Sequence, residues 1–215
     1  LKGNGCVLIP TFALGRTQEM LASLALMMSE GRLSPRPVYI SGLGRVFTEI
    51  YDLQAHHVHR NHSSMQLREA LNLIVMDKNQ VEQIKLSGGR IFVITAGMMT
   101  ENTAAHDLAM RMVGDERQSI FFVGYADPES PAGRLRAAEQ DESFFFSNMA
   151  GNITRKCDLR EFDLTAHANR DELLEFVGRV SPKVVVLTHG DAESRGWFAQ
   201  QIAQRYPGMR VLQPG

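Results

Sequence analysis

Short runs of β-branched and aromatic residues alternate along this chain with longer segments in which apolar residues recur at helical spacing. The clearest strand-like runs are residues 91–95 and 119–123, and a segment of helical period at 104–113 separates them. The same patterns predict further strands at residues 6–9, 38–40, 144–146, 159–162, 183–187 and 209–212, and further helices at residues 17–30, 46–53, 67–84, 170–180 and 197–205. Because strands and helices alternate so strictly, we predict an α/β protein with a largely parallel sheet.

Charge, hydropathy and cysteine content exclude several broad classes. With 215 residues and a formal net charge of −1, the chain is not a broadly basic nucleic-acid binder, although local basic patches stay open. No apolar run approaches the ~18–20 residues that cross a bilayer, so membrane insertion is not expected. Cys6 and Cys157 cannot build a disulfide framework. We expect small core residues in a reducing, cytoplasmic compartment, with a single bridge or a reactive thiol as the alternative.

Two local features bear on how the chain is organised. It begins Leu-Lys-Gly-Asn-Gly, which is typical of a helix end and a glycine-rich turn that leads into a strand. Since the first residue is Leu1 and not Met, we expect a further segment upstream. The turn-rich stretch at residues 147–152, after which the alternation restarts, predicts a boundary between a domain at 1–147 and another at 148–215.

Small and polar residues follow several predicted strands, at the point where ligands bind in open α/β sheets. Taken one at a time, such residues more often form tight turns than sites, so only their combination is informative. The segments are Pro-Thr-Phe-Ala-Leu-Gly-Arg at 10–16, Ala-Gly-Met-Met at 96–99, Gly-Tyr at 124–125 with Gly-Arg at 133–134, Thr-Ala-His-Ala-Asn at 165–169 and Thr-His-Gly-Asp at 188–191.

These five segments, in this order, resemble the motifs of the β-CASP nucleases, a branch of the metallo-β-lactamase fold. The resemblance covers essentially the whole chain, which is similar to the C-terminal portion of a bacterial-type member. It implies that residues 1–147 are a mostly parallel-sheet β-CASP cap domain lacking its N-terminal edge. Residues 148–215 would be the C-terminal βαβ-type part of a metallo-β-lactamase (αββα) core.

The resemblance also implies an activity, which is zinc-dependent cleavage of RNA phosphodiester bonds by an endonuclease, a 5′–3′ exonuclease or both. Two zinc ions would lie between core and cap, with His189 as a catalytic residue and a ligand of the second zinc. His167 would approach the scissile phosphate as a general acid or a charged hydrogen-bond donor. Family members with histidine at the last motif act mostly on RNA. The expected partners are therefore single-stranded RNA and an N-terminal metallo-β-lactamase half, with a homodimer as a further option.

Arginines beside glycines near the strand ends are candidates for phosphate contacts, because a guanidinium fork matches phosphate oxygens. They are Arg16, Arg45 and Arg134. The Ser-Gly-Leu-Gly loop that starts at Ser41 precedes a helix, so its backbone amides are a second candidate. The resemblance adds Gly97, Met98 and Tyr125. The structural alternative is that the arginines pair with carboxylates and hold loops.

Three departures from the family pattern bear on activity. Asn169 stands where the motif of His167 has an acid, and the segments at 98–102 and 126–131 add acidity near the expected groove. The string His-Val-His-Arg-Asn-His at 57–62 imitates the family's main zinc motif, but it follows a polar helix and not a buried strand. We expect a solvated loop there, with adventitious metal binding as the alternative.

The zinc ligands of the chain are incomplete, since a catalytic zinc needs about three protein ligands and the motifs supply only His189. We expect the chain alone to bind zinc weakly and to cut nothing. A non-catalytic relative that binds RNA or serves as a scaffold is the competing function, favoured by Asn169 and opposed by the two retained histidines. An unrelated nucleotide-binding domain is not expected, because residues 10–16 hold one glycine and no phosphate-loop pattern.

Overall fold

The computed structural model describes residues 4–62, 65–164 and 167–214. Two compact units divide the chain, Leu1–Leu164 and Thr165–Gly215. The strands are β1 (Val7–Thr11), β2 (Val38–Ser41), β3 (Ile74–Val75), β4 (Ile91–Thr95), β5 (Ser119–Phe122), β6 (Ser143–Ser147), β7 (Gly151–Thr154), β8 (Asp158–Glu161), β9 (Val184–Val186) and β10 (Arg210–Leu212). The helices are α1 (Arg16–Ser29), α2 (Leu43–Leu53), α3 (Leu67–Leu71), α4 (Ala104–Met112), α5 (Pro131–Ala137), α6 (Arg170–Val180) and α7 (Ala192–Arg205).

The first unit is built on a six-stranded sheet in the order β3-β2-β4-β1-β5-β8, and each neighbouring pair is parallel. The predicted α/β class with a largely parallel sheet is therefore confirmed. The central strands β1 and β4 are buried on both faces because helices cover each side. On one face Leu8 and Phe92 pack with Leu108 of α4, and on the other Val7 packs with Leu21 of α1.

Strand register places the carboxyl ends of the central strands together. Thr11, the last residue of β1, is paired with Thr95, the last residue of β4, and Ser41 at the end of β2 is paired with Ile94. This edge is called the carboxyl edge below, and the opposite one the amino edge. Cys6 lies at the amino edge, just before β1.

The cysteine prediction is confirmed in its structural part. Cys6 and Cys157 are fully buried and form no disulfide. Burial raises the pKa of both thiols, to about 11 for Cys157. Thiols in this state are small core groups and weak nucleophiles at neutral pH.

The predicted helix at 67–84 is wrong, because the chain there forms three short elements. The helix α3 stops when Asn72 adopts a left-handed conformation with φ 48°. The β-branched pair in β3 then joins the sheet beside β2, with Tyr39 opposite Ile74. A 3₁₀ turn at Lys78–Gln80 follows. The apolar spacing that resembled one helix belongs to segments with different neighbours.

The predicted strand at 144–146 is present as β6, but it lies outside the main sheet. It pairs antiparallel with β7, and the turn between them occupies part of the stretch predicted to be a boundary. Beyond that turn, β8 returns to the main sheet beside β5, and the compact units divide between Leu164 and Thr165. The assignment of residues 1–147 to a cap and 148–215 to a core stays a prediction.

The second unit contains α6, α7 and a parallel pair formed by β9 and β10. Leu174 of α6 and Ile202 of α7 are fully buried within it. The hydroxyl of Tyr206 donates to the carbonyl of Leu174 at 3.2 Å, which ties the end of α7 to α6. In the part of the chain that the structure describes, no helix combines the length and apolarity needed to cross a bilayer.

Candidate functional site

Three residues predicted from separate motifs line one cleft at the carboxyl edge. Arg16 comes from the first motif, Gly97 from the second and Tyr125 from the third, and all three border the same small cleft, whose enclosed volume is about 10 Å³. The cleft is completed by Pro10, Thr11, Phe12, Phe122 and Gly124. Parallel pairing of β1, β4 and β5 brings these segments together, because their ends meet at one edge of the sheet.

Hydroxyl groups beneath the cleft hold the turn that leads from β1 into α1. The Thr17 hydroxyl donates to the carbonyl of Phe12 at 2.8 Å, and it lies 2.8 Å from the buried hydroxyl of Thr11. At the start of α1, the side-chain oxygen of Gln18 accepts from the amide of Gly15 at 2.8 Å. The turn is therefore fixed on both sides of Arg16.

Two of the three predicted arginines pair with carboxylates, as the structural alternative stated. Arg16 pairs with Glu19 one turn along α1. Arg134 lies 3.6 Å from Glu129, and its guanidinium stacks over the ring of Phe145 at 5.2 Å. The Arg134 pair lies at the surface, with the Arg134 side chain 32% exposed, and such a pair is worth only ~0–1 kcal/mol, so a phosphate oxygen can compete for that guanidinium. The Arg16 side chain is less accessible, at 13% exposed. The third, Arg45, is exposed on α2.

Tyr125 offers the cleft an accessible aromatic ring. Its side chain is 65% exposed, beside the exposed Gly124. Met98 has a different place, because its carbonyl accepts from the amide of Ala132 at 3.2 Å and ties the turn after β4 to α5. Of the two, Tyr125 is therefore the one that can stack on a nucleic-acid base.

The loop that starts at Ser41 is packed against the end of β4. The Thr95 hydroxyl donates to the carbonyl of Ser41 at 3.2 Å, and the Ser41 side chain is buried. A Cβ on Gly42 would lie 2.8 Å from the Thr95 oxygen, and one on Gly44 would lie 2.7 Å from the Thr95 methyl. Close approach explains these glycines without a ligand, and anion binding by the loop amides stays a prediction.

In the second unit, His189 follows β9 in an unusual backbone conformation. Its φ is 59°, in the left-handed region that a residue with a side chain seldom adopts. The side chain is exposed and borders an apolar pocket between Leu173 of α6 and Phe198 of α7. Just beyond, the amide of Ser194 donates to the carboxylate of Asp191, which lowers the pKa of that carboxyl and caps α7. His189 is therefore held between a strand end and a capped helix.

His167 is exposed at the start of the described part of the second unit, and Thr165 and Ala166 of its motif lie outside the described residues. Asn169, the residue that departs from the family pattern, has a clear structural role. Its side-chain oxygen accepts from the amides of Asp171 and Glu172 at 3.0 Å each and caps α6. Aspartate and asparagine are similar helix caps, so this departure does not weaken the fold.

The donor set does not form a complete metal site. Within residues 4–62, 65–164 and 167–214, no three His, Cys, Asp or Glu side chains converge as metal ligands would. His189 can offer one imidazole, whereas a catalytic zinc takes about three protein ligands. In the loop that imitates the zinc motif, His57, His59 and His62 are exposed, as expected for a solvated loop.

Sequence reasoning missed one polar cluster in the first unit. His106 of α4 is fully buried, its Nε2 lies 2.9 Å from the hydroxyl of Ser147, and its ring stacks on Phe146 at 5.2 Å. The Ser147 hydroxyl also accepts from the amide of Ala150. The only sequence signal is a histidine among the buried positions of an apolar helix, which does not identify its partner.

Comparisons with known proteins match this geometry to a family. Residues 17–135, more than half of the chain, match the model described as the Beta-Casp domain. Residues 152–214 match the model described as the Zn-dependent metallo-hydrolase RNA specificity domain. The chain therefore belongs to the β-CASP family of metallo-β-lactamase-fold nucleases.

Curated relatives carry names from RNA metabolism. The chain is 29% identical to RNase aCSPSF2 of Saccharolobus solfataricus over 215 residues, which are 100% of this chain and 40% of the relative. It is 24% identical to endoribonuclease YSH1 of Candida glabrata, covering 96% of this chain and 28% of the relative. It is 28% identical to transcription termination factor FttA of a Lokiarchaeum, covering 89% of this chain and 32% of the relative. The chain thus spans less than half the length of each of these relatives.

Proposed function

We propose that the protein is a metal-dependent ribonuclease and that this chain supplies an RNA-binding edge and two functional histidines. The observation that supports this most is the convergence of Arg16, Gly97 and Tyr125 on one cleft, in a chain of a nuclease family. In this proposal Arg16 binds a phosphate of single-stranded RNA and Tyr125 stacks on a base. Arg134, Arg45 and the amides after Ser41 add further phosphate contacts, and Met98 shapes the wall.

In this proposal, His167 and His189 are the residues that take part in cleavage. An exposed imidazole near the scissile bond can donate a proton or a charged hydrogen bond, which we assign to His167. We assign His189 to a zinc site whose other ligands are not among the described residues. Two zinc ions, supported by the zinc-dependent family model, would supply Lewis-acid chemistry to the complete site.

The proposal also covers the partners and the cellular compartment of the protein. The N-terminal metallo-β-lactamase half is the expected partner, and a homodimer is a further one. Unbridged, buried Cys6 and Cys157 support a reducing, cytoplasmic compartment. Endonucleolytic and 5′–3′ exonucleolytic cleavage are both compatible with single-stranded RNA in an open cleft.

Cleavage of labelled single-stranded RNA by the full-length protein, with and without zinc, tests the activity. His189→Asn is the key variant, because asparagine tolerates the left-handed backbone while removing the imidazole. We expect its rate to fall roughly 100-fold or more, His167→Asn to lose a similar amount, and RNA affinity to change little. His57→Asn, which changes an exposed histidine of another loop, is the matched control and should cleave like wild type.

The non-catalytic alternative gives a different pattern. A scaffold or RNA-binding relative would bind RNA but leave it intact with every metal tested, and the His189 variant would behave like wild type. Because Asn169 has a capping role, its departure from the family pattern does not by itself favour that alternative.

A further inference from the structure

A second, larger groove lies in the first unit between α1 and the histidine-containing loop after α2. Its volume is about 460 Å³. One wall is a single face of α1 from Gly15 to Leu26, and the other includes Tyr51, His59 and His62. Eleven residue steps of 1.5 Å make that wall about 16 Å long. The groove therefore has room for an unstacked base.

The groove and the carboxyl-edge cleft are lined by neighbouring residues of the chain. Gly15 borders the groove and Arg16, the next residue, borders the cleft. Glu19 of the same wall is paired with Arg16, so the carboxylate at this junction is partly neutralised. An RNA strand that passes Arg16 would therefore reach the groove at Gly15.

The wall of the groove opposite α1 carries flat, polarisable side chains. The Arg60 guanidinium lies over the Tyr51 ring at 5.4 Å and also donates to the Tyr51 carbonyl, which fixes its plane. His59 and His62 stand on either side of Arg60 in sequence, and both are exposed and border the groove. Aromatic rings, histidine rings and guanidinium planes are the surfaces on which unstacked bases bind.

We propose that this groove binds the bases of single-stranded RNA that extend beyond the carboxyl-edge cleft, with His59 and His62 as stacking residues. The loop that imitates a zinc motif thus has an RNA-binding role that its sequence does not suggest. Duplex RNA would not use these surfaces, since its bases are already stacked on one another. The proposal rests on the proposed function in one respect, which is that RNA enters through the cleft.

Binding of an RNA tetramer and an RNA dodecamer to the full-length protein separates the two surfaces, because we expect the tetramer to bind at the cleft and the dodecamer to reach the groove as well. The test variant is His59→Glu with His62→Glu, and the matched control is His56→Glu with His57→Glu. The control makes the same charge change at exposed positions of the same loop that do not border the groove. Fluorescence anisotropy gives both dissociation constants, and unfolding by urea confirms that each variant is folded.

We expect the groove variant to bind the dodecamer about 100-fold more weakly, which corresponds to two lost stacked bases, and to bind the tetramer like wild type. The control should bind both RNAs like wild type. Unchanged dodecamer binding, or equal weakening of both RNAs, overturns the groove proposal. If Arg16→Ala weakens both RNAs while the groove variant does not, the groove fails and the proposed function stands. If wild type binds neither RNA, both fail.

Discussion

Polar groups are buried and paired at the amino edge of the main sheet, whereas the carboxyl edge leaves part of its surface exposed. At the amino edge, the amide of Cys6 donates to the side chain of Gln118 at 2.9 Å, and Gln118 donates to the carbonyl of Leu86 and to Asp115 at 3.0 Å each. Gln118 is fully buried. At the carboxyl edge, Tyr125 and Gly124 remain exposed above the buried hydroxyl of Thr11.

This difference separates groups that stabilise the fold from groups that can bind. Polar groups at the amino edge satisfy one another, and Arg117 holds the pKa of Asp115 well below its usual range. The buried amide of Cys6 and the side chain of Gln118 therefore both have partners within the protein. At the carboxyl edge, buried hydroxyls hold the loops from beneath, the ring of Tyr125 is exposed, and the Arg16 guanidinium borders the cleft beside its partner Glu19. The amino edge should therefore respond to substitution in stability and the carboxyl edge in RNA affinity.

The largest loss of stability that we expect comes from a glycine that supports the carboxyl edge. A Cβ on Gly133 would lie 2.1 Å from the carbonyl oxygen of Asp127, whereas one on Gly124 meets nothing within 4 Å. Gly133→Ala must move backbone and should lower the free energy of unfolding by about 3 kcal/mol or more. Gly124→Ala, the matched control, should change it by less than about 0.5 kcal/mol. Urea unfolding measures both, and equal stability of the two variants would show that the loops have no rigid base.

A smaller effect tests the amino edge. Gln118→Ala leaves the buried amide of Cys6 without its acceptor, which should cost about 2 kcal/mol. Gln140→Ala is the control, because that glutamine also bonds a backbone carbonyl but is exposed, and its loss should cost less than about 0.5 kcal/mol. Urea unfolding again gives the stability, and RNA binding below the transition should be unchanged. Weaker RNA binding by folded Gln118→Ala would show that the amino edge also contributes to RNA affinity.

Much of the sheet could be predicted from the sequence because its strands are continuous buried runs. The strand at 91–95 and the helix at 170–180 match β4 and α6 residue for residue. Convergence of the motifs at one cleft followed from the parallel order, since any such sheet gathers its strand ends. These features depend on local pattern and one topological rule, and both are visible in a single sequence.

Features that depend on tertiary partners could not be predicted. β3 is two residues long and exists because β2 offers it an edge. The helix α5 is a different case, because its start signal is local: Ser130 precedes Pro131, and its side chain accepts from the Gly133 amide. Pro131 and Gly133 together also resemble a turn, which hides that signal. Pairing of His106 with Ser147 joins residues 41 positions apart. Residue spacing within one segment carries no information about contacts between distant segments.

The decisive measurement is the RNA affinity of the full-length protein at several salt concentrations. It compares wild type with Gln118→Ala and with a variant that combines Arg16→Ala and Tyr125→Ala. If the carboxyl edge binds RNA, the Arg16 and Tyr125 variant binds about tenfold or more weakly. Its slope of log affinity against log salt falls by about 0.7, the value for one lost phosphate contact on a single strand, while its unfolding is unchanged. Gln118→Ala keeps both the affinity and the slope. Wild-type affinity and slope in the Arg16 and Tyr125 variant would contradict the account.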